Sequence, residues 1–273
     1  MRKQNELLGS RTQVGRRFAL LPIEGVPYSR IPSWPSAQIQ VLASPALGAG
    51  FVQYRMELDG GASGSQASDG RSESFLYVLA GTVRLSFGSD ARVGFAPTRT
   101  GNDKSQRDPA AHVAELGPGG YALIPPGISW SLKAASPAQL TVVRKEYEHV
   151  EGIALYEPLV GNQAEVQGEI YMGDKGALLQ SLIPDDFAYD MAMNIFTFES
   201  GHSLPVTETH VMEHGLIVLQ GKGLYYLEDR WMEVEESDFI WMGPFCPQSY
   251  YATGPVATRY LYYKNVNRDI PVS

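Results

Sequence analysis

An apolar run that ends at a glycine, Gly215-Leu216-Ile217-Val218-Leu219-Gln220-Gly221, has the composition of a β-strand followed by a tight turn. The same pattern occurs 140 positions earlier as Phe75-Leu76-Tyr77-Val78-Leu79-Ala80-Gly81. A long pattern that recurs in one chain indicates two copies of a single structural unit.

A second pair of matching segments follows the first. Gly120-Tyr121-Ala122-Leu123-Ile124-Pro125-Pro126-Gly127-Ile128-Ser129-Trp130 resembles Asp238-Phe239-Ile240-Trp241-Met242-Gly243-Pro244-Phe245-Cys246-Pro247-Gln248, and here the copies lie 118 positions apart. The 22 extra positions in the first copy match a polar stretch rich in Arg, Asp, Gly, Pro and Ser at about 88–112. We therefore predict a loop inserted into the first copy only.

Short apolar runs alternate with Gly, Pro, Asp and Ser clusters along the rest of the chain, as is typical of β-sandwiches and barrels. Helical periodicity is rare, and the best candidate for a helix is 174–182. We predict an all-β fold with a first domain at 1–150 and a second at 151–273.

The composition limits the classes of partner. The chain has 273 residues, 44% of them hydrophobic, and a formal net charge of -8, so it can form well-packed cores but offers no basic stripe for nucleic acid. No apolar stretch is long enough to span a membrane, no signal peptide is apparent, and the single Cys246 excludes an intrachain disulfide. We expect a cytoplasmic protein that binds small molecules, with no nucleic-acid or membrane partner.

The second copy holds a concentrated set of metal-binding side chains. Two of only five histidines, His210 and His214, lie four residues apart behind Glu208, and Gln248 follows on a separate strand. Side chains two apart on a strand share a face, so these residues can converge on one point. A sulfur-free N/O set suits Mn²⁺ or Fe²⁺, with Zn²⁺ and Ni²⁺ as weaker alternatives. The competing interpretation is two surface histidines beside acidic residues on an edge strand.

The first copy lacks this set. The region 61–73 contains no histidine, and Trp130 occupies the position that matches Gln248. We expect the first copy to be a structural partner that closes the site or contributes to an oligomer interface. Glu73 is interpreted as a solvated or capping carboxylate, and the alternative is a remnant of the ligand set.

The paired strands and Pro/Gly corners resemble the two motifs of the cupin superfamily, whose fold is a small jelly-roll barrel, here present twice. Three further segments are Glu208-Thr209-His210-x-x-Glu213-His214-Gly215, Trp241-Met242-Gly243-Pro244 and the tail at 260–269. More narrowly, these segments resemble the motifs of the (S)-ureidoglycine aminohydrolase family, whose bacterial members have been labelled glyoxylate-induced proteins. The resemblance implies a bicupin with a degenerate N-terminal barrel and a metal-binding C-terminal barrel.

The resemblance also implies a function in allantoin and purine breakdown. Members of the family are manganese-dependent enzymes that release ammonia from ureidoglycine and give (S)-ureidoglycolate. The family places a lysine and two tyrosines in its active site, and Lys264, Tyr260 and Tyr225 occupy the matching positions here. Without the family, a lysine at a strand end would be expected in solvent and buried tyrosines in the core.

Two other classes of function remain open at this stage. One is another metal-dependent bicupin enzyme, for example a dioxygenase acting on a small acid or phenol, which would prefer iron and more histidine ligands. The other is a non-catalytic cupin that binds a small molecule without turnover. Fold alone does not separate them, because cupins host many activities. For each class we expect a homo-oligomer.

Overall fold

The computed structural model describes residues 11–88, 94–95 and 113–269. Regular structure in these ranges consists of 23 β-strands and three 3-10 turns, Ile23–Gly25, Pro45–Leu47 and Gln163–Glu165, with no α-helix. The all-β prediction is confirmed, whereas the helix predicted at 174–182 is wrong because Asp174–Ser181 is a strand. Except for Gly88 and the strand Gly94–Phe95, the predicted insertion at 88–112 lies outside the described residues.

The strands of the first half in chain order are β1 (Gln13–Val14), β2 (Phe18–Leu21), β3 (Ser29–Ile31), β4 (Trp34–Ala43), β5 (Val52–Leu58), β6 (Ser63–Gln66), β7 (Ser72–Ala80), β8 (Val83–Phe87), β9 (Gly94–Phe95), β10 (Val113–Leu116), β11 (Gly120–Ile124), β12 (Trp130–Ala134) and β13 (Ala138–Glu146). Those of the second half are β14 (Leu159–Asn162), β15 (Glu169–Tyr171), β16 (Asp174–Ser181), β17 (Met191–Phe198), β18 (His214–Gln220), β19 (Lys222–Leu227), β20 (Arg230–Glu235), β21 (Phe239–Met242), β22 (Gln248–Ala252) and β23 (Thr258–Asn265).

Each barrel is built from one large and one small sheet. In the N-terminal barrel the order β3-β4-β5-β13-β7-β11-β14-β9 faces β10-β8-β12-β6, and in the C-terminal barrel β1-β2-β21-β18-β23-β17-β16-β15 faces β20-β19-β22. Strands β1 and β2 belong to the C-terminal barrel, and β14 belongs to the N-terminal one. The sheets thus exchange strands across residue 150, and the division of the chain into two domains there stays a prediction.

The two large sheets also pack against each other. Alternate residues of β7 point to opposite faces, so Leu76 lies in the core of the N-terminal barrel while Phe75 lies in a third core that includes Ile217 and Tyr263 of the C-terminal barrel. Burial on both faces explains why β7 reads as a continuous apolar run rather than an alternating one.

Glycines end the repeated strands as the sequence predicts. Gly81 and Gly221 have φ angles of 76° and 79°, a left-handed conformation that L side chains rarely adopt. At Gly81 a Cβ atom would also lie 2.0 Å from the Pro137 carbonyl oxygen, so the turn requires glycine for space as well as conformation.

A cluster of buried charges lies between the barrels. Lys145 Nζ of β13 is 2.5 Å from Asp190 Oδ2 and 3.9 Å from Glu73 Oε1, and all three side chains are almost fully buried. Glu73 also accepts a hydrogen bond from the Tyr156 hydroxyl, and burial raises the pKa of its carboxyl well above the usual range. The interpretation of Glu73 as a solvated or capping carboxylate is therefore wrong.

Across the described ranges we find no helix long and apolar enough to cross a bilayer.

Candidate metal and active site

A cavity of about 340 Å³ opens into the C-terminal barrel. Its walls include each of the residues that the sequence predicts for the metal and catalytic site, namely Glu208, His210, His214, Gln248, Tyr225, Tyr260 and Lys264. The structure thus brings the predicted set together at one place, although the role of each residue stays a prediction.

The two histidines face each other. His214 begins β18 and is 4% exposed, whereas His210 lies in the loop before that strand. Each imidazole places Nδ1 beside a backbone carbonyl, His210 at 3.1 Å from Met212 O and His214 at 3.0 Å from Tyr263 O. A ring that donates from Nδ1 carries its lone pair on Nε2, and the two Nε2 atoms are 3.2 Å apart.

Both imidazoles are set up to be neutral near pH 7. Burial lowers the pKa of His214 to about 3, with the neighbouring His210 and Lys264 adding smaller effects in the same direction. Burial likewise lowers the pKa of His210, opposed by the Glu208 carboxylate. Two neutral rings with facing lone pairs repel unless a cation or a proton lies between them, so this geometry suits a pair of metal ligands.

Backbone pairing with Glu208 positions Gln248 beside the histidines. Glu208 N donates to Gln248 O at 2.8 Å and Gln248 N donates to Glu208 O at 2.9 Å, which sets the two side chains next to each other. The Gln248 carboxamide lies 3.0 Å from His210 Nε2, and its Oε1 accepts a hydrogen bond from the Tyr225 hydroxyl at 3.3 Å. A half-turn of this amide would present its oxygen, rather than its NH₂ group, to the histidines.

Glu208 differs from the sequence expectation in one respect. Neither Glu208 nor His210 belongs to a continuous strand, because Glu208 forms only an isolated bridge with Gln248 before the chain turns into β18. Its Oε1 accepts a hydrogen bond from the Tyr171 hydroxyl at 2.7 Å. The other carboxylate oxygen, Oε2, is left to bind a metal ion.

The residues present fit a divalent metal ion. Across the described parts of the chain no group of three His, Cys, Asp or Glu side chains is arranged to hold a metal ion. What converges is two imidazoles and one carboxamide, with the Glu208 carboxylate on the wall of the same cavity. This mixed N/O donor set without sulfur matches the preference of Mn²⁺ and Fe²⁺.

Lys264 lies on β23 directly opposite His214 in the ladder. Burial lowers the pKa of its ammonium group, and the carboxylates of Glu208 and Asp185 partly oppose that shift. A half-buried lysine with a lowered pKa exchanges protons more readily near neutral pH than an exposed one.

Tyr225 and Tyr260 form the floor of the cavity, each 2% exposed. Burial raises the pKa of both phenols well above the usual range, so both stay protonated near neutral pH. They are therefore hydrogen-bond donors and poor proton acceptors, and Tyr225 already donates to Gln248 Oε1.

Sequence reasoning also missed other residues of the cavity wall, among them three polar ones. Tyr262 lies between Tyr260 and Lys264 on the same face of β23, and Asn194 Nδ2 donates to its hydroxyl at 3.2 Å. The period of two along β23 was sufficient to find Tyr262. Asn194 and Tyr171 come from β17 and β15, where no motif distinguishes them.

The tandem barrels, each formed by a large and a small sheet with mostly antiparallel strands, define a bicupin. In agreement, the cupin 2 conserved barrel domain protein from Leptotrichia buccalis superposes with a TM-score of 0.56 over 87% of this chain and 92% of that one, at 14% identity. At this identity the likeness concerns the fold alone.

The relatives are more specific. The (S)-ureidoglycine aminohydrolase of Escherichia coli K12 is 31% identical over 98% of this chain and 96% of its own length, and that of Arabidopsis thaliana is 33% identical over 95% and 79%. The crystal structure of a putative glyoxylate-induced protein from Pseudomonas aeruginosa has a TM-score of 0.81 at 33% identity, covering 98% of this chain and 94% of that one. The chain belongs to the (S)-ureidoglycine aminohydrolase family. No family model matches it.

Proposed function

We propose that this protein is a manganese-dependent enzyme that releases ammonia from (S)-2-ureidoglycine and gives (S)-ureidoglycolate during ureide breakdown. The main support is that one cavity unites His210, His214 and Gln248 with Lys264, so metal donors and a proton-exchanging group border the same space. The proposed substrate is inferred from membership of the (S)-ureidoglycine aminohydrolase family.

The reaction exchanges one substituent on the α-carbon of the substrate. The bond from this carbon to its amino nitrogen breaks, a bond to the oxygen of water forms, and the water gives up a proton while the departing nitrogen gains one. Lys264 suits this transfer because its lowered pKa allows the amine to hold the proton from water and the ammonium to return it.

Stereochemistry requires that the substrate be held in one pose. The hydroxyls of Tyr225 and Tyr260 are protonated and border the cavity, where contacts with the substrate can fix its orientation. A substrate fixed by such contacts exposes one face of its α-carbon to water, which favours a single product.

A bound Mn²⁺ would act as a Lewis acid that anchors and polarises the substrate. The residues proposed to hold it are Glu208, His210, His214 and Gln248. Fe²⁺ is the next choice for this donor set, followed by Zn²⁺ and Ni²⁺. Assembly into a homo-oligomer and a cytoplasmic location stay predictions of the sequence.

The test is ammonia release from freshly prepared ureidoglycine, followed with metal-free protein and again after Mn²⁺ is restored, with chiral analysis of the ureidoglycolate. We expect release above the spontaneous rate only with metal, and a single (S) product. Release at the spontaneous rate by folded, metal-loaded protein would refute the proposed activity. Oxygen uptake with a small acid or phenol would instead indicate a dioxygenase, and tight ureide binding without turnover would indicate a binding protein.

A further inference from the structure

One segment of the N-terminal barrel docks directly beneath the loop that carries the proposed metal ligands. This docking segment, residues 48–53, leads into β5 and packs tightly against the C-terminal barrel. The Phe51 ring lies 4.3 Å from that of Tyr263, and a Cβ atom at Gly215 would approach Gln53 Oε1 to 2.3 Å and the Phe51 ring to 2.6 Å. Gly215 directly follows His214, so the N-terminal barrel contacts the chain one residue from a proposed ligand.

Glu213 connects the ligand loop to the docking segment. Its two carboxylate oxygens accept from the backbone N–H of Gly50 at 3.0 and 3.1 Å, and Oε2 also accepts from Trp241 Nε1 at 3.3 Å. Its own backbone N–H donates to Asn265 Oδ1 at 2.7 Å. The residue is 8% exposed, and no cation of the described residues lies within ion-pair distance of it.

Burial of a carboxylate that accepts hydrogen bonds only from neutral donors costs more free energy than burial of an apolar side chain of the same size. Packing alone therefore does not account for a glutamate at this position. Glu213 instead provides a fixed link from the N-terminal barrel to the segment between the two histidines. Its neighbour Met212 supplies the carbonyl that orients His210 through Nδ1, so a shift of Glu213 moves that carbonyl and the His210 ring with it.

We infer that Glu213 is a positioning residue, through which the N-terminal barrel holds His210 and His214 at the spacing that binds the metal ion. The inference rests on the proposed function, because it assigns a role toward the proposed metal site. It also assigns a role to the N-terminal barrel, whose region 61–73 contains no histidine. Residues 48–53 of that barrel pack against the C-terminal barrel and thereby fix its ligand loop.

The experiment compares three single variants with the parent. Glu213→Gln keeps the shape of the side chain but replaces one of the two oxygens that accept from the Gly50 N–H with an NH₂ group and removes the negative charge. Gly50→Ala attacks the same contact from the other barrel, because the new Cβ would lie 2.6 Å from Glu213 Oε1. Tyr147→Phe is the matched control, since it removes another hydrogen bond between the barrels, 2.8 Å from the Tyr147 hydroxyl to Ala188 O, away from the ligand loop.

The primary readout is the dissociation constant of Mn²⁺ alone, titrated into metal-free protein well below its melting temperature. Losses of partners that orient metal ligands typically weaken binding about 10- to 100-fold, and we expect at least about 10-fold for Glu213→Gln and Gly50→Ala. Tyr147→Phe should bind as the parent does. The visible absorption of the Co²⁺-substituted protein should change in the two test variants, because the ligand geometry changes.

Mn²⁺ affinity equal to the parent in both test variants, with only the melting temperature of the metal-free protein lowered, would show that Glu213 merely stabilises the fold and would overturn the inference. Failure of the proposed site gives a different result. In that case the parent itself binds no Mn²⁺, or His210→Ala binds it as tightly as the parent does.

Discussion

Acid sensitivity of the metal-free protein tests the environment of His214. An unperturbed imidazole has a pKa of about 6.5, and burial lowers that of His214 to about 3. Between these values the unfolded chain carries the proton and the folded protein does not. The folded state therefore binds fewer protons, and its stability falls as the pH falls from 6.5 towards 3.

The size of this effect follows from the two pKa values. Each pKa unit corresponds to about 1.4 kcal/mol, so lowering the pH from 7 to 5 should remove roughly 2 kcal/mol of unfolding free energy through His214, and lowering it to 3 should remove roughly 4 kcal/mol. His214→Gln has no imidazole at this position and should lack that part of the loss.

Urea unfolding of metal-free parent and His214→Gln at pH 7 and pH 5 measures this difference, because titratable groups distant from position 214 are protonated alike in both proteins. The exposed His149 gives a control, since His149→Gln should lose as much stability as the parent. Equal losses in the parent and in His214→Gln would refute the account of a neutral buried imidazole.

Four other substitutions have distinct expected outcomes. His210→Ala and Glu208→Ala should abolish Mn²⁺ retention, measured by elemental analysis after gel filtration, with an unchanged β-type circular dichroism spectrum; retained metal in both would remove the site assignment. Lys264→Ala should retain Mn²⁺ but lose about 10²- to 10⁴-fold in kcat, and parental turnover would rule out its proton-transfer role. Lys145→Met should lower the urea unfolding free energy by about 3–5 kcal/mol because Asp190 is left buried without its cation, and a change below about 1 kcal/mol would contradict the importance of that pair.

The repeat made most of the fold predictable. The apolar runs that end at Gly81 and Gly221 identify two equivalent strand-and-turn units because the left-handed turn requires glycine and the strands require apolar residues on both faces. Helical periodicity gave the wrong prediction at 174–182. There the pairing of β16 with β15 and β17 outweighs the weak periodicity.

Part of the site was predictable from a local pattern and part only through the family resemblance. The spacing from Glu208 to His214 identifies the histidine pair, and the resemblance implies roles for Tyr225, Tyr260 and Lys264. All of these residues border one cavity. The hydrogen bond from Tyr171 to Glu208 was not predictable, because it depends on how distant strands meet. The burial of Glu73 likewise depends on the packing of two large sheets, which no local pattern records.

The most direct measurement is anomalous X-ray diffraction from crystals of the Mn²⁺-loaded protein, recorded at wavelengths on both sides of the manganese edge. The account predicts a single manganese peak in the C-terminal barrel, within coordination distance of the Nε2 atoms of His210 and His214. A peak elsewhere in the chain, or an empty site in crystals of protein that retains Mn²⁺ and activity in solution, would contradict it.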